Sequence, residues 1–294
     1  MSALASRIAG APISWGVCEV TGWGYQLPAD VVLEQMRELG LSATELGPDG
    51  FLPDDPQEKV DVLTDYDLRA VGQFVPVVLH DAEFDPLPDV IRAIEALTIA
   101  QASTVVIAAA TGLTGYDTRP QLADEPWVTL LRNLDRIDVA ATESGLRATL
   151  HPHVGTMVES GVDALRVIEG STIALCLDTG HLLIGGGDPG AVVQQHADRI
   201  GHVHLKDVRL DLARRVQHGD LTYAEAVGQG MYVPLGTGDV PVELIVRGLE
   251  DAGYRGWYVL EQDTMLADAP GGTAHSPLDD VSNSVAYLMS VGTR

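Results

Sequence analysis

Two kinds of apolar pattern alternate along the chain. Short β-rich runs, several alternating apolar and polar residues, fall at 8–14, 42–47, 68–77, 103–109, 147–153, 173–180, 201–207 and 256–262. Between most of them lie stretches with apolar residues near i, i+3, i+4 and i+7, at 28–40, 87–102, 127–145, 162–170, 189–200 and 241–253, with a last one at 279–291. Several stop at a glycine, as helices commonly do. Eight alternations predict parallel strands joined by helical crossovers. A closed (β/α)8 barrel typically takes about 250 residues; this chain has 294, and long loops absorb the rest. The structural rival, an open doubly wound sheet, usually shows a glycine-rich phosphate turn after its first strand, and GAPISWG is not that fingerprint.

No linker or low-complexity segment divides the chain, so residues 1–294 read as one barrel domain. The longest interruption, about 208–235, lies between strands seven and eight and holds a short helical pattern at 221–227. A loop of that length is either functional or an arm for contacts in a homo-oligomer.

Composition narrows the class. Hydrophobic residues make up 46% of the chain, enough for a substantial core. No stretch approaches the roughly 20 apolar residues of a membrane span. The opening MSALASRIAGAPISW lacks the cationic flank and long apolar run of a secretory signal, so a cytoplasmic location is expected. Cys18 and Cys176 suggest no disulfide framework, and both are expected reduced and at least partly buried. A net charge of −24 repels phosphate backbones, which argues against nucleic acid or an anionic membrane as partner.

Period two sorts each strand into a lumen face and a helix face. The lumen sets are Glu45 after Ala43; Thr149, His151 and His153; Ala174, Cys176 and Asp178; His202, His204 and Lys206; and Trp257, Val259 and Glu261. The polar members sit at the C-terminal strand ends, the face of a barrel where catalysis is found. Buried there without partners, each would cost several kcal/mol, and a divalent ion is the economical partner. His151, Asp178, His204 and Glu261 come from four consecutive strands. Two imidazoles and two carboxylates suit manganese, cobalt, iron or zinc, while magnesium prefers more oxygen. Positions left open on the ion would take two substrate oxygens.

His153, His181, His202 and Lys206 then stand beside that centre as groups that support it or touch substrate, His181 foremost because DTGH carries it just past Asp178. Trp15 could wall a sugar-like ring or simply pack in the core. Glu45 and His80 follow strands two and three and are candidate substrate contacts. Asp207 is expected to face outward or to orient the loop, and the turn 236–239 to bring backbone groups near the site.

Taken in order, APISW, TELGPDGFLP, FVPVVLHD, LHPHVGTMVES, LDTGHLLIGGGDP, HVHLKDVR, LTYAEAVGQGMYVPLGTGDV and GYRGWYVLEQD resemble the xylose-isomerase-like TIM barrel superfamily, and within it the inosose dehydratases most. The resemblance runs through nearly the whole chain. It implies a metal centre, usually Glu, Asp, His and Glu from strands five to eight, which falls here on His151, Asp178, His204 and Glu261. The imidazole in first place departs from the common pattern and removes half of the glutamate pair with which epimerases and isomerases of this fold shuttle a proton. The resemblance therefore implies a lyase that uses Mn2+ or Co2+ (Zn2+, Fe2+ or Mg2+ being possible) and removes water from 2-keto-myo-inositol (scyllo-inosose), giving a trihydroxycyclohexane-dione in inositol breakdown. Glu261, His153, His181 and Lys206 are its candidate proton-transfer and electrophilic groups. The alternative is a metal-dependent ketose or inosose isomerase or 3-epimerase. Two segments look individual to this chain, GVCEVTGWGYQ after Trp15 and ATGLTGYDTRP after strand four.

Overall fold

The structure, a computed structural model, describes residues 4–267 and 276–292; residues 1–3, 268–275 and 293–294 of the expected single domain lie outside the described residues. Eight parallel strands close a barrel: β1 (Ile8–Gly10), β2 (Ala43–Glu45), β3 (Arg69–Val78), β4 (Thr104–Ala110), β5 (Arg147–Leu150), β6 (Ala174–Asp178), β7 (Ile200–Leu205) and, last in the chain, β10 (Tyr258–Leu260). Two short strands, β8 (Asp207–Val208) and β9 (Tyr232–Val233), pair antiparallel outside it. The expected barrel is the one observed, and each predicted strand overlaps one of its staves.

The helices are α1 (Ala29–Glu38), α2 (Pro56–Asp65), α3 (Leu87–Ile99), α4 (Asp124–Glu143), α5 (Gly161–Gly170), α6 (Thr179–Ile184), α7 (Pro189–His196), α8 (Leu210–Gln217), α9 (Tyr223–Gly228), α10 (Val242–Asp251) and α11 (Pro277–Val291). Of these, α2, α6 and α8 had no counterpart in the periodicity. For α2 and α6 the signals are caps rather than stripes: Asp55 accepts from the Gln57 and Glu58 amides with Pro56 at the first helical position, and Asp178 accepts from the His181 amide to start α6; α8 has no side-chain cap and is marked instead by an apolar stripe of Leu212, Ala213 and Val216. The segment expected to be helical at 221–227 is α9, set by a capping box between Thr222 and Glu225.

Alternation along the strands separates two apolar layers. Ile8, Ala70, Tyr258 and Leu260 belong to the large core between barrel and helices. Their neighbours Ala9, Ala11, Ala43, Val71 and Val259 form a second cluster, which fills the lumen. Several strands stop earlier than the pattern predicts. The first gives way after Gly10 to a 3-10 turn, Pro12–Trp15. The fifth ends at Leu150, although the His151 amide still donates to Ile107 O at 2.8 Å; Pro152 has no N–H with which to continue. The seventh ends at Leu205, and Glu261 follows directly on the end of β10. The site residues thus occupy strand ends and the first loop positions after them.

Candidate metal centre and active-site cavity

Asp178 and His204 are direct neighbours across the β6–β7 ladder. His151 from the end of β5 and Glu261 from the end of β10 close around them. One ligand atom from each of the four lies within 4.8 Å of the others, and all four sit in the buried or nearly buried interior of the mouth. His151 Nε2 lies 3.3 Å from Asp178 Oδ2, and His204 Nδ1 lies 3.1 Å from Glu261 Oε2 and 3.7 Å from Asp178 Oδ2. Close as they are, these atoms are poorly aimed at one another. His151 Nδ1, Asp178 Oδ2 and His204 Nδ1 are buried and make no hydrogen bond among the described residues. Buried polar atoms without partners are rare and point to an unseen water or ion. Nitrogen and carboxylate donors that converge without bonding each other fit a divalent cation.

Lys206 lies beside this cluster. Its Nζ reaches Glu261 Oε2 at 2.8 Å and Asp178 Oδ2 at 3.8 Å, and it bonds Asp263. Burial works against the ammonium, but the charges of Asp263, Glu261 and Asp178 overcome it and hold its pKa well above the ordinary lysine value. Gly180 permits this packing, because a Cβ there would stand 2.7 Å from Lys206 Cβ. Glu261 and Asp178 are in turn kept ionised: burial pushes both carboxyls up, and the neighbouring cations, His204 first for Glu261 and Lys206 first for Asp178, pull them below the usual range.

Two further imidazoles face the same space, with ring centroids 3.7 Å apart. Hydrogen bonds to the main chain fix how each is protonated. His153 Nδ1 lies 2.7 Å from Val154 O, an acceptor only, so Nδ1 carries the hydrogen and Nε2 keeps its lone pair. The Val154 amide donates to His181 Nδ1 at 3.4 Å, so the His181 hydrogen is on Nε2, 3.6 Å from Asp263 Oδ2. Burial, helped by the charge of His151, depresses the His153 pKa to about 3, and burial with His153 lowers that of His181 strongly. Both rings are neutral at pH 7.

Above these groups opens a cavity of about 580 Å³, a common size for a small-molecule site. His151, His153, His181, Lys206, Glu261 and Glu45 line its floor. Trp23, Phe74, Tyr116 and Tyr223 supply walls. The walls are tied together across the chain: Trp23 Nε1 donates to Thr264 O at 3.0 Å, Tyr116 O–H to Glu19, and Tyr223 O–H to Asp263. Gly155 lets the loop after β4 settle here, since a Cβ on it would overlap the Tyr116 backbone.

The structure brings most of the expected site residues together and sets three apart. Trp15 is fully buried, with its Nε1 donating to Gln35 at 2.7 Å, and does not line the cavity. The 3-10 turn that replaces the end of strand one swings it into the core. His80 is absent from the lining as well. His202 lies beneath the floor, where its Nε2 meets Glu45 Oε1 at 2.9 Å. Glu45 itself lines the cavity and also holds His204 Nε2 at 2.9 Å. Burial pushes its carboxyl up, but the His204 and His202 imidazoles outweigh this and hold its pKa at about 2.

Asp207 does orient a loop. Its carboxylate accepts from the amides of Val208, Gly236, Gly238 and Val240. That grip holds the turn 236–239 away from the cavity lining, against expectation. Asp263, Tyr223, Tyr116 and Trp23 were not foreseen. Asp263 lies two positions past Glu261 on the same run, and that spacing was its only signal in the sequence.

A model of the xylose isomerase-like TIM barrel family matches residues 33–278, and the chain belongs to that family. It is an enzyme of that family, as its curated relatives show. It is 33% identical over 271 residues to the rhizopine catabolism protein MocC of Rhizobium meliloti, covering 89% of this chain and 83% of that protein. It is 32% identical over 276 residues to an inosose dehydratase of Geobacillus kaustophilus, covering 89% of each. The structure of an L-ribulose 3-epimerase superposes with a TM-score of 0.71 over 98% of this chain and 94% of that one, at 15% identity, a likeness of fold alone. Among the described residues no helix is long and apolar enough to cross a membrane.

Proposed function

We propose that this enzyme is a metal-dependent hydro-lyase that removes water from a cyclic keto-polyol, with 2-keto-myo-inositol as the best-fitting substrate and a trihydroxycyclohexane-dione as product. The observation that carries the reading is the paired state of the floor. A converging set of donors (His151, Asp178, His204 and Glu261) with unbonded buried atoms stands next to an imidazole whose Nε2 lone pair is left free by its main-chain bond. The similarity to inosose dehydratases over 89% of the chain supports the same reading.

His151, Asp178, His204 and Glu261 would hold a divalent ion, which would supply Lewis acidity toward the substrate ketone. The protein's own groups do the rest. Lys206, kept as an ammonium, donates hydrogen bonds to oxygens that gain negative charge as the ketone is polarised. His153 Nε2 takes the proton from the carbon beside the carbonyl; a neutral imidazole is the right state for a base. The imidazolium so formed gives that proton to the departing β-hydroxyl, so the C–H and C–O bonds break, a C=C bond forms and water leaves. His181 holds a substrate hydroxyl through its Nε2–H. The aromatic walls meet the C–H faces of the ring.

The test is incubation with scyllo-inosose and Mn2+. The proposal expects a product 18 mass units lighter that absorbs in the near ultraviolet, and no turnover after chelation until metal is returned. A polyol isomer of unchanged mass would replace this reading with an isomerase or epimerase. Unchanged turnover in the chelated protein would remove the metal from it.

A further inference from the structure

His204 has two ring nitrogens, and the structure gives them opposite surroundings. Nε2 lies 2.9 Å from Glu45 Oε1, and the same oxygen meets His202 Nε2 at 2.9 Å. A carboxylate has no hydrogen to give, so both nitrogens donate. With its hydrogen on Nε2, a neutral His204 keeps its lone pair on Nδ1. That nitrogen is the one facing Glu261 and Asp178, buried and without a hydrogen bond among the described residues.

Glu45 reaches this position from the opposite side of the barrel. It stands on β2, its carboxyl crossing the lumen to β7, where His202 and His204 share one face. The β2–β3 register shifts between Thr44 and Glu45, which sets Glu45 against Gly72; such irregularities commonly re-aim a side chain at a site. At Gly72 a Cβ would come within 3.3 Å of Glu45 Oε1 and 3.1 Å of Thr104 O, so a side chain there would crowd the carboxylate. Taking a carboxylate out of water is expensive unless its partners are well placed, and here one oxygen meets two imidazoles while 3% of the residue is exposed.

We infer that Glu45 is a positioning residue: it fixes His204 in the tautomer that presents Nδ1 to the divalent ion, and His202 braces the Glu45 oxygen that does so. The inference rests on the metal centre of the proposed function and not on the reaction assigned to it. An outer carboxylate or carbonyl on the second ring nitrogen is a general device for orienting a metal-binding histidine.

The experiment uses the full chain labelled with 15N-histidine, zinc as a diamagnetic probe, and competition against a fluorescent chelator for affinity. In the unsubstituted protein, zinc is expected on His204 Nδ1 with the hydrogen retained on Nε2. Glu45→Ala is expected to weaken zinc binding about 10–100-fold and to expose the Nε2–H to rapid exchange. Glu45→Gln keeps an accepting oxygen and is expected to restore most of the affinity. Zinc bound through His204 Nε2 overturns the inference, and so does unchanged zinc affinity in Glu45→Ala, whether or not KM for substrate rises. Should Glu45→Ala fail to fold, the spectrum of the unsubstituted protein and the Glu45→Gln affinity decide. A protein that takes up no zinc, manganese or cobalt overturns the metal centre itself, a failure distinct from zinc seated on the wrong nitrogen.

Discussion

On one side of the barrel, β5, β6, β7 and β10 end successively in His151, Asp178, His204 and Glu261. On the other side, β1, β2 and β3 put Ala9, Ala43 and Val71 into the lumen, and Glu45 is the carboxylate that reaches across. The first side carries the groups that can hold a cation and move a proton. The second lines the lumen with small apolar side chains, and the walls come from it and from β4: Trp23 after β1, Phe74 on β3 itself and Tyr116 after β4. The difference separates the candidate chemistry, placed on strand ends, from shape, placed on β3, α9 and two loops tied by contacts distant in sequence.

Breaking the first side should have the largest effect. Asp178→Asn takes a charge from the centre of the cluster and should lower turnover by about 10³-fold or more, with loss of bound metal; several kcal/mol of Lewis-acid stabilisation correspond to that factor. Metal content and turnover on one sample check it, and a variant that keeps both would show that the cluster is only a network of ion pairs.

His153→Asn sharpens the comparison within the polar side. Turnover should fall about 10²–10⁴-fold while metal affinity holds, if His153 is the base of the proposed reaction and not a ligand. Loss of metal together with activity would put His153 among the ligands instead.

On the second side, Trp23→Ala should raise KM and lower stability by about 3 kcal/mol, leaving metal affinity unchanged. The indole is 4% exposed and anchored to Thr264 O. Thermal melting, KM and chelator competition read the three quantities separately, and weakened metal binding would show that wall and floor are not independent.

The smallest effect is one of pH. Burial raises the Asp163 carboxyl, but its bonds to Ser160 and the Arg119 guanidinium at 2.7 Å bring it below the ordinary 3.8. A carboxyl lowered in the folded state adds stability above its unfolded pKa and loses it as pH falls through the folded value. Arg119→Ala should therefore cost about 1 kcal/mol or less at pH 7, the pair being partly solvated, with the difference shrinking below pH 4. Urea midpoints at pH 7 and pH 3 test the sign.

The two sides also differ in how far they could be read before folding. His151, Asp178, His204 and Glu261 were legible because a strand's period of two is local: a polar residue at the end of an apolar run announces itself within five or six positions. The same logic failed at Trp15, where a 3-10 turn replaced the expected strand and turned the indole into the core. It was silent on Tyr116 and Tyr223, whose place depends on bonds to Glu19 and Asp263, 97 and 40 positions away. Nothing local marked α2 and α6 as helices except their caps, and the stripe of Leu212, Ala213 and Val216 that marks α8 spans only two turns.

What the chain's pattern determined by itself was the count and order of the barrel strands, the face the polar residues at their ends would take, and the strand ends as the candidate place of chemistry, since these follow from alternation and chain direction alone. Closure of the cylinder decided the rest. Only a closed lumen lets Glu45 from the second stave grip His202 and His204 on the seventh, leaves Asp178 Oδ2 and His204 Nδ1 facing each other without a hydrogen bond among the described residues, and gathers a strand, a helix and two loops into one wall. Such contacts join residues far apart in sequence, and no short-range pattern records them.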